Sequence, residues 1–119
     1  MDLNISGKTA LVSASSKGIG LQIAKKLSMH GVNVSIFSTS EENLSAAKDL
    51  IQEVSKAEVI SSVCDLGDSN RIQQVFDKTL SDFGTIDILV NNAGGPPPGS
   101  LKDITDDQIT YSLKTNLLA

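Results

Sequence analysis

A parallel α/β sheet with helices on both faces is predicted for this 119-residue chain by three observations. Short apolar runs alternate with segments of helical periodicity four times over. Glycine or a capping residue separates most of them. The first run leads into a turn of small residues that opens a helix. Strands separated by helices reach their neighbours through crossovers, which makes the pairing parallel.

Thr9 to Ser13 (Thr-Ala-Leu-Val-Ser) follows the turn residues Ser6-Gly7 and reads as the first strand. The next helix opens at Ile19, with Ile23 and Leu27 recurring every four residues, Ala24 beside them and Gly31 closing the pattern. His30, next to that glycine, suits the negative end of a helix dipole. Val32 to Ser38 is the second strand, and Thr39-Ser40-Glu41-Glu42 has capping-box spacing. Leu44, Ala47, Leu50, Ile51 and Val54 form one apolar face of the second helix. Val59 to Cys64 is the third strand, with Cys64 a buried apolar residue at its end. Asp68 or Ser69 caps a helix carrying Ile72, Val75, Phe76, Leu80 and Phe83, ended by Gly84. Ile86 to Val90 is the fourth strand.

The loop from Asn91 to Asp103 holds Gly95-Pro96-Pro97-Pro98-Gly99, whose prolines neither continue a helix nor enter a central strand and so keep the chain extended. Thr105-Asp106-Asp107-Gln108 is a second capping box, opening a last helix with Ile109, Leu113 and Leu117 on one side. Right-handed crossovers, with the chain folding back at the first strand, give a Rossmann-like doubly wound sheet of strand order 3-2-1-4. Ligands of such sheets bind beyond the carboxyl ends of the strands, and four segments fall on that rim: Ser13 to Gly20, Ser38 to Ser40, Asp65-Leu66 and Asn91 to Gly95.

The first of these segments, Ser13-Ala14-Ser15-Ser16-Lys17-Gly18-Ile19-Gly20, has the makings of a phosphate cradle. A pyrophosphate needs main-chain N–H donors at a helix N-terminus and no side chain in the way. Gly18 leaves that approach open, and Gly20 lacks the Cβ that would hold the helix off the sheet. Tight strand-to-helix turns use glycine for backbone reasons alone, so the other segments must discriminate. Likewise Asp65 could be a helix cap, Asn91-Asn92-Ala93-Gly94 a strand-ending turn, and Lys17 a solvated turn residue.

Taken together and in order, these segments resemble the short-chain dehydrogenase/reductase family over essentially the whole chain, in particular its 3-oxoacyl-ACP reductase-like members. The family's T-G-x-x-x-G-x-G motif is met by Ser13 to Gly20 with Ser for Thr and Ala14 for the first Gly. Ala14, the smallest departure from glycine, excludes a backbone that needs φ > 0, so cofactor affinity suffers if that position must be left-handed. Asn91-Asn92-Ala93-Gly94 matches the N-N-A-G signature. Asp65 matches the acidic residue near the adenine ring, and Asn116 the asparagine of the helix after the fourth strand. The resemblance implies a nicotinamide cofactor held by Ser13, Ser15, Ser16, Lys17, Gly18, Ile19, Gly20, Ser38, Thr39, Ser40, Asp65, Leu66, Asn92, Ala93 and Gly94.

An acidic residue at the end of the second strand would bind the ribose hydroxyl of NAD and repel a 2′-phosphate. Ser38 stands there instead and Lys17 supplies a charge, so NADP is favoured over NAD. Thr39 and Ser40 occupy positions where many NADP-using relatives carry Arg, and their hydroxyls discriminate weakly.

The family's catalytic residues, a Ser that orients the substrate and a Tyr-x-x-x-Lys pair that exchanges the proton, lie in the second half of its fold. The single tyrosine, Tyr111, has Lys114 at i+3 and Thr115 at i+4, so the spacing fails, and it is expected to be a packing residue. Asn116 is the one family catalytic position matched, on the buried side of its helix or exposed where the helix frays. Residues 1–119 are therefore expected to be one NAD(P)-binding domain, the truncated cofactor-binding half of an oxidoreductase that moves a hydride between a nicotinamide and a carbonyl or alcohol, and inactive alone. Gly95 to Gly99 would wall the substrate side. The alternative is a non-catalytic module that binds a nucleotide or a protein.

Composition narrows the partners. Ten basic against 14 acidic residues give a net charge of −4 and no basic cluster, which argues against nucleic acid and anionic membranes. No apolar run reaches bilayer length, the start lacks a secretory signal, and a cytoplasmic protein is expected. No Cys/His cluster has metal-ligand spacing. A fourth strand without an outer neighbour and an apolar last helix predict a homo-oligomer or a complementing C-terminal half.

Overall fold

The computed structural model describes residues 2–94 and 99–118. Of the extended proline stretch and substrate-side wall expected at Gly95 to Gly99, residues 95–98 lie outside them. In chain order the elements are β1 (Thr9–Ser13), α1 (Gly18–Met29), β2 (Asn33–Ser38), α2 (Glu41–Val54), β3 (Val59–Val63), α3 (Ser69–Phe83), β4 (Ile88–Val90) and α4 (Asp106–Leu113), followed by a π-helical turn, Lys114–Leu118. The four strands pair in parallel in the order β3-β2-β1-β4, as the alternation predicts. Thr9 stands opposite Asn33, Ala10 opposite Ile88, and Val34 opposite Val59.

Because strand side chains alternate between faces, β1 and β2 each supply two cores. Ala10, Val12, Val34 and Ile36 point to one face and pack with Leu21 and Ala24 of α1 and with Leu44, Ala47 and Ile51 of α2. Leu11 and Phe37 point to the other, where they meet Cys64 and Val75 of α3, with Ile72 and Phe76 partly buried alongside.

The buried stripes differ in detail from the apolar periodicity. On α1 it runs through Gly20, Leu21, Ala24 and Ser28, one step round from the Ile19-Ile23-Leu27 row, and Ile19 is exposed at the ligand rim. On α2 the inward residues are Leu44, Ala47 and Ile51, while Leu50 and Val54 are exposed. On α3, Thr79 rather than Leu80 is buried. The reason is polar: Ser35 of β2 is fully buried, and the Thr79 hydroxyl lies 2.8 Å from the Ser35 hydroxyl, so each satisfies the other.

β4 begins two residues later than its apolar pattern suggests. Asp87 takes up the start of β1 by itself: its carboxylate accepts the Thr9 N–H at 2.9 Å and its own N–H donates to the Thr9 carbonyl at 2.9 Å. The helix caps follow the local rules. Ser40 accepts from Asn43 N–H, one residue later than a box starting at Thr39 would have it. Asp68 accepts from Arg71 N–H, and Thr105 and Gln108 form a reciprocal capping box. On the edge strand β3, Arg71 and Lys78 each donate at 3.1 Å to the carbonyls of Val63 and Ser61, covering an edge that would otherwise invite pairing.

α4 is the loosest element. None of its residues is buried, and the expected apolar row Ile109, Leu113 and Leu117 is exposed. Its C-terminal turn widens where the Thr115 hydroxyl bonds the Tyr111 carbonyl at 3.0 Å and the Asn116 amide bonds the Ser112 carbonyl at 3.1 Å. Such side-chain bonds to the preceding turn compete with the helical ladder.

Candidate functional site

The carboxyl ends of β1, β2 and β3 and the loop after β4 surround a pocket of about 380 Å³. Its wall takes in the turn after β1 (Ala14, Ser16 to Ile19), the end of β2 (Phe37 to Thr39), the end of β3 (Cys64 to Leu66), Asn92 to Gly94, and Tyr111 and Thr115 from the last helix. The rim segments singled out in the sequence converge on one cavity.

The N-terminus of α1 opens into that cavity at Lys17, Gly18 and Ile19. The other three helices each have a side chain that caps their first turn; α1 has none, and its first turn holds no acidic residue. Its leading N–H groups and the positive end of its dipole are thus left for a ligand. Lys17, at the N-cap position, is extended and exposed. Gly18 has φ +59°, and a Cβ added there would meet no protein atom within 4 Å. The backbone favours glycine at this position, and the space beside it is free for an anion.

Gly20 answers to a different demand. A Cβ there would stand 2.5 Å from the Ala14 carbonyl oxygen, 2.8 Å from Asn92 Nδ2 and 2.9 Å from Ser15 Cα, so only glycine lets α1 seat against the turn. Asn92 completes the joint. Its side-chain amide donates to the carbonyls of Ser13 and Ala14 at 3.3 and 3.2 Å, and its N–H donates to the Ser13 hydroxyl at 2.7 Å. The Ser13 hydroxyl in turn donates to the Asn92 carbonyl. Asn92 and Gly94 are therefore not a left-handed turn. Among the described residues, the non-glycines at positive φ are Asn4 and Ala14.

Ala14 corrects an expectation: it adopts φ +48°, the left-handed region. An alanine does so at a cost of about 1 kcal/mol, which the Asn92 clamp and the seating of α1 offset here. Three of the expected cofactor residues turn their groups elsewhere. The Ser15 side chain is fully buried; its hydroxyl donates to the Val12 carbonyl at 2.7 Å and accepts the Phe37 N–H at 3.2 Å, while its own N–H goes to the Phe37 carbonyl. Ser13 is held by Asn92, and Ser40 caps α2 outside the pocket wall.

Ser16 and Ser38 do face the pocket, their hydroxyls 2.9 Å apart, with Thr39 beyond them. Cys64 is buried beside them, its N–H donating to the Ser38 carbonyl at 2.9 Å. Burial pushes its thiol up, with the carboxylates of Asp68 and Asp65 adding to the rise against an opposing contribution from Arg71, so it stays a neutral thiol.

Tyr111 is not a packing residue. Its hydroxyl lies 3.2 and 3.1 Å from the two carboxylate oxygens of Asp65, across 46 residues of sequence. Burial first, then the Asp65 hydrogen bond and charge, raise its phenol above the usual value, so it remains a donor. Asn116 is exposed rather than inward-facing, and it lines a second groove, of about 480 Å³, on the α3 side of the sheet. Tyr111, Thr115, Phe37 and Cys64 were absent from the expected site. The one available signal was the i, i+4 spacing of Tyr111 and Thr115, which places both on one helix face.

This architecture, a parallel 3-2-1-4 sheet with its pocket at the strand carboxyl ends and an uncapped helix at its floor, is that of a Rossmann-like α/β protein. A family model described as short chain dehydrogenase matches residues 8–119, and the chain belongs to that family. It is 35% identical over 115 residues to the 3-oxoacyl-[acyl-carrier-protein] reductase FabG of Escherichia coli (strain K12), covering 97% of this chain and 46% of that protein. The L-sorbose reductase of Gluconobacter frateurii, solved in complex with NADPH and L-sorbose, superposes with a TM-score of 0.91 at 29% identity, over 99% of this chain and 45% of that one. A xylitol dehydrogenase solved with NAD+ gives a TM-score of 0.88 at 29% identity, over 97% of this chain and 44% of that one. The chain spans less than half the length of these relatives.

Proposed function

We propose that residues 1–119 form one nicotinamide-cofactor-binding domain, the part of a short-chain dehydrogenase/reductase that holds NADP in preference to NAD. The observation that carries this reading is the uncapped N-terminus of α1 at the floor of a pocket walled by Ser16, Lys17, Ser38 and Thr39. In this reading the pyrophosphate lies on the N–H groups that follow Gly18, where no Cβ obstructs it. The hydroxyls of Ser16, Ser38 and Thr39 and the Lys17 ammonium take the 2′-phosphate of NADP, with no carboxylate at the end of β2 to repel it. Asp65 and Leu66 border the adenine, and Asn92 to Gly94 support the nicotinamide side.

The bound cofactor would supply a hydride to or from a carbonyl or alcohol substrate. FabG is by its name a reductase of 3-oxoacyl carrier-protein substrates, and L-sorbose reductase acts on a sugar; both are carbonyl compounds, and the substrate class proposed here is no narrower. Asn116 is the residue of this chain assigned nearest the chemistry. These residues hold one tyrosine, with no lysine four positions on, so the general acid or base is not among them. A homo-oligomeric, cytoplasmic protein, or one completed by a C-terminal half, is in keeping with this reading. No described helix is long and apolar enough to cross a membrane.

Fluorescence titration of the chain with NADPH and NADH tests the reading. NADPH is expected to bind more tightly, and Lys17→Ala to weaken NADPH by about 1 kcal/mol while leaving NADH unchanged. Binding of neither dinucleotide would sink it; equal affinities would remove the role given to Lys17.

A further inference from the structure

Resting on that reading, the pairing of Tyr111 with Asp65 assigns a role to an aromatic residue at the base end of the pocket. Asp65 Oδ1 is shared, accepting the Gly67 N–H at 2.7 Å as well as the phenol at 3.2 Å. Oδ2 accepts the phenol at 3.1 Å and has no second protein donor among the described residues. The ring also rests beside Gly67, where an added Cβ would lie 3.5 Å from Tyr111 Cε2 and 3.8 Å from Thr115 Cγ2. With no residue of α4 buried, this is the one side-chain hydrogen bond among the described residues that ties α4 to the strand ends.

A carboxylate only accepts, so whatever approaches Asp65 from the pocket must donate and must compete with the phenol for Oδ2. An adenine does so through its exocyclic amine. A hypoxanthine presents a carbonyl at the same place, which the carboxylate repels and the phenol can meet as a donor. We propose that Tyr111 is a specificity-determining latch: its hydroxyl holds the Asp65 carboxylate in the free protein and yields it to a base bearing an exocyclic amine. The latch lowers the affinity for adenine nucleotides and thereby narrows their advantage over oxo-purine counterparts. Its ring, freed from the carboxylate, remains on the pocket wall as a surface for the base to stack against.

Calorimetric titration of wild type and Tyr111→Phe with NADPH and with its hypoxanthine analogue tests this. Tyr111→Phe should widen the preference for NADPH over the analogue by roughly three- to tenfold, the worth of one exchanged hydrogen bond. An unchanged or narrowed preference overturns the latch. A wild type that binds neither NADPH nor NADH overturns the cofactor reading beneath it, so the two failures are separable. A second measurement does not need the variant. Tyr111 is the single tyrosine, so tyrosine carbon-labelled at Cζ alone gives one resonance in wild type. NADPH should move it, since the phenol must give up the carboxylate, and a resonance that saturating NADPH leaves in place also overturns the proposal.

Discussion

On one face of the sheet Ala10, Val12, Val34 and Ile36 have no exposed surface beneath α1 and α2, whereas on the other Leu11 and Phe37 meet α3 and then an open groove. Strand β4 shows the difference within three residues. Ile88 and Val90 pack against the closed core, while Leu89 between them, opposite Leu11, is 51% exposed. The same alternation that buries one side of a strand delivers its neighbour to the face with fewer helices. Two helices close the first face; on the second, α4 is held at its margin by a hydrogen bond instead of buried apolar area. The candidate pocket lies at the rim between them, walled on the closed side by the start of α1 and on the other by Tyr111 of α4.

Truncating one side chain from each face should give the largest contrast. Ile36→Ala, at a fully buried position, is expected to lower unfolding stability by about 2–5 kcal/mol, and Leu89→Ala by less than about 0.5 kcal/mol. Urea unfolding measures both, and comparable losses would mean that the second face is closed in solution. Next in size is Gly20→Ala, which pushes a Cβ into the Ala14 carbonyl and the Asn92 amide. It should cost about 1–3 kcal/mol and weaken NADPH binding together with stability, because α1 must move off its seat. A neutral result would show that the joint between the closed face and the rim is slack.

Smaller and opposite in sign, Ala14→Gly relieves the left-handed alanine at φ +48° and should stabilise the protein by up to about 1 kcal/mol, less the backbone entropy glycine brings to the unfolded chain. The thermal midpoint reports it; a fall would mean the turn relaxes to another conformation. The smallest effect belongs to the lightly held side. The folded Tyr111 phenol titrates above its unfolded value, so the Asp65 pair contributes fully below about pH 10 and is lost as pH rises through the folded value. Alkaline titration by ultraviolet absorbance should place the midpoint lower in Asp65→Asn than in wild type, and coincident midpoints would mean the pair does not form.

The residues legible in the sequence are those whose role is set within a turn or two of chain. The capping residues Asp68 and Thr105, the strand Thr9–Ser13, the alternation that yields order 3-2-1-4 and the glycine turn that opens α1 were all readable, because local spacing governs each. Tertiary contact decided the rest. Whether Ile19 or Leu21 turns inward depends on how α1 sits against Asn92, and the left-handed Ala14 depends on a clamp from a residue 78 positions away. Thr79 displaces Leu80 from the core because a buried Ser35 on another element needs a partner. Tyr111 becomes part of the pocket only because the fold brings Asp65 to it across 46 residues. Periodicity records which side chains avoid water, but not which polar group across the fold will require one of them, and it is those requirements that shaped this site.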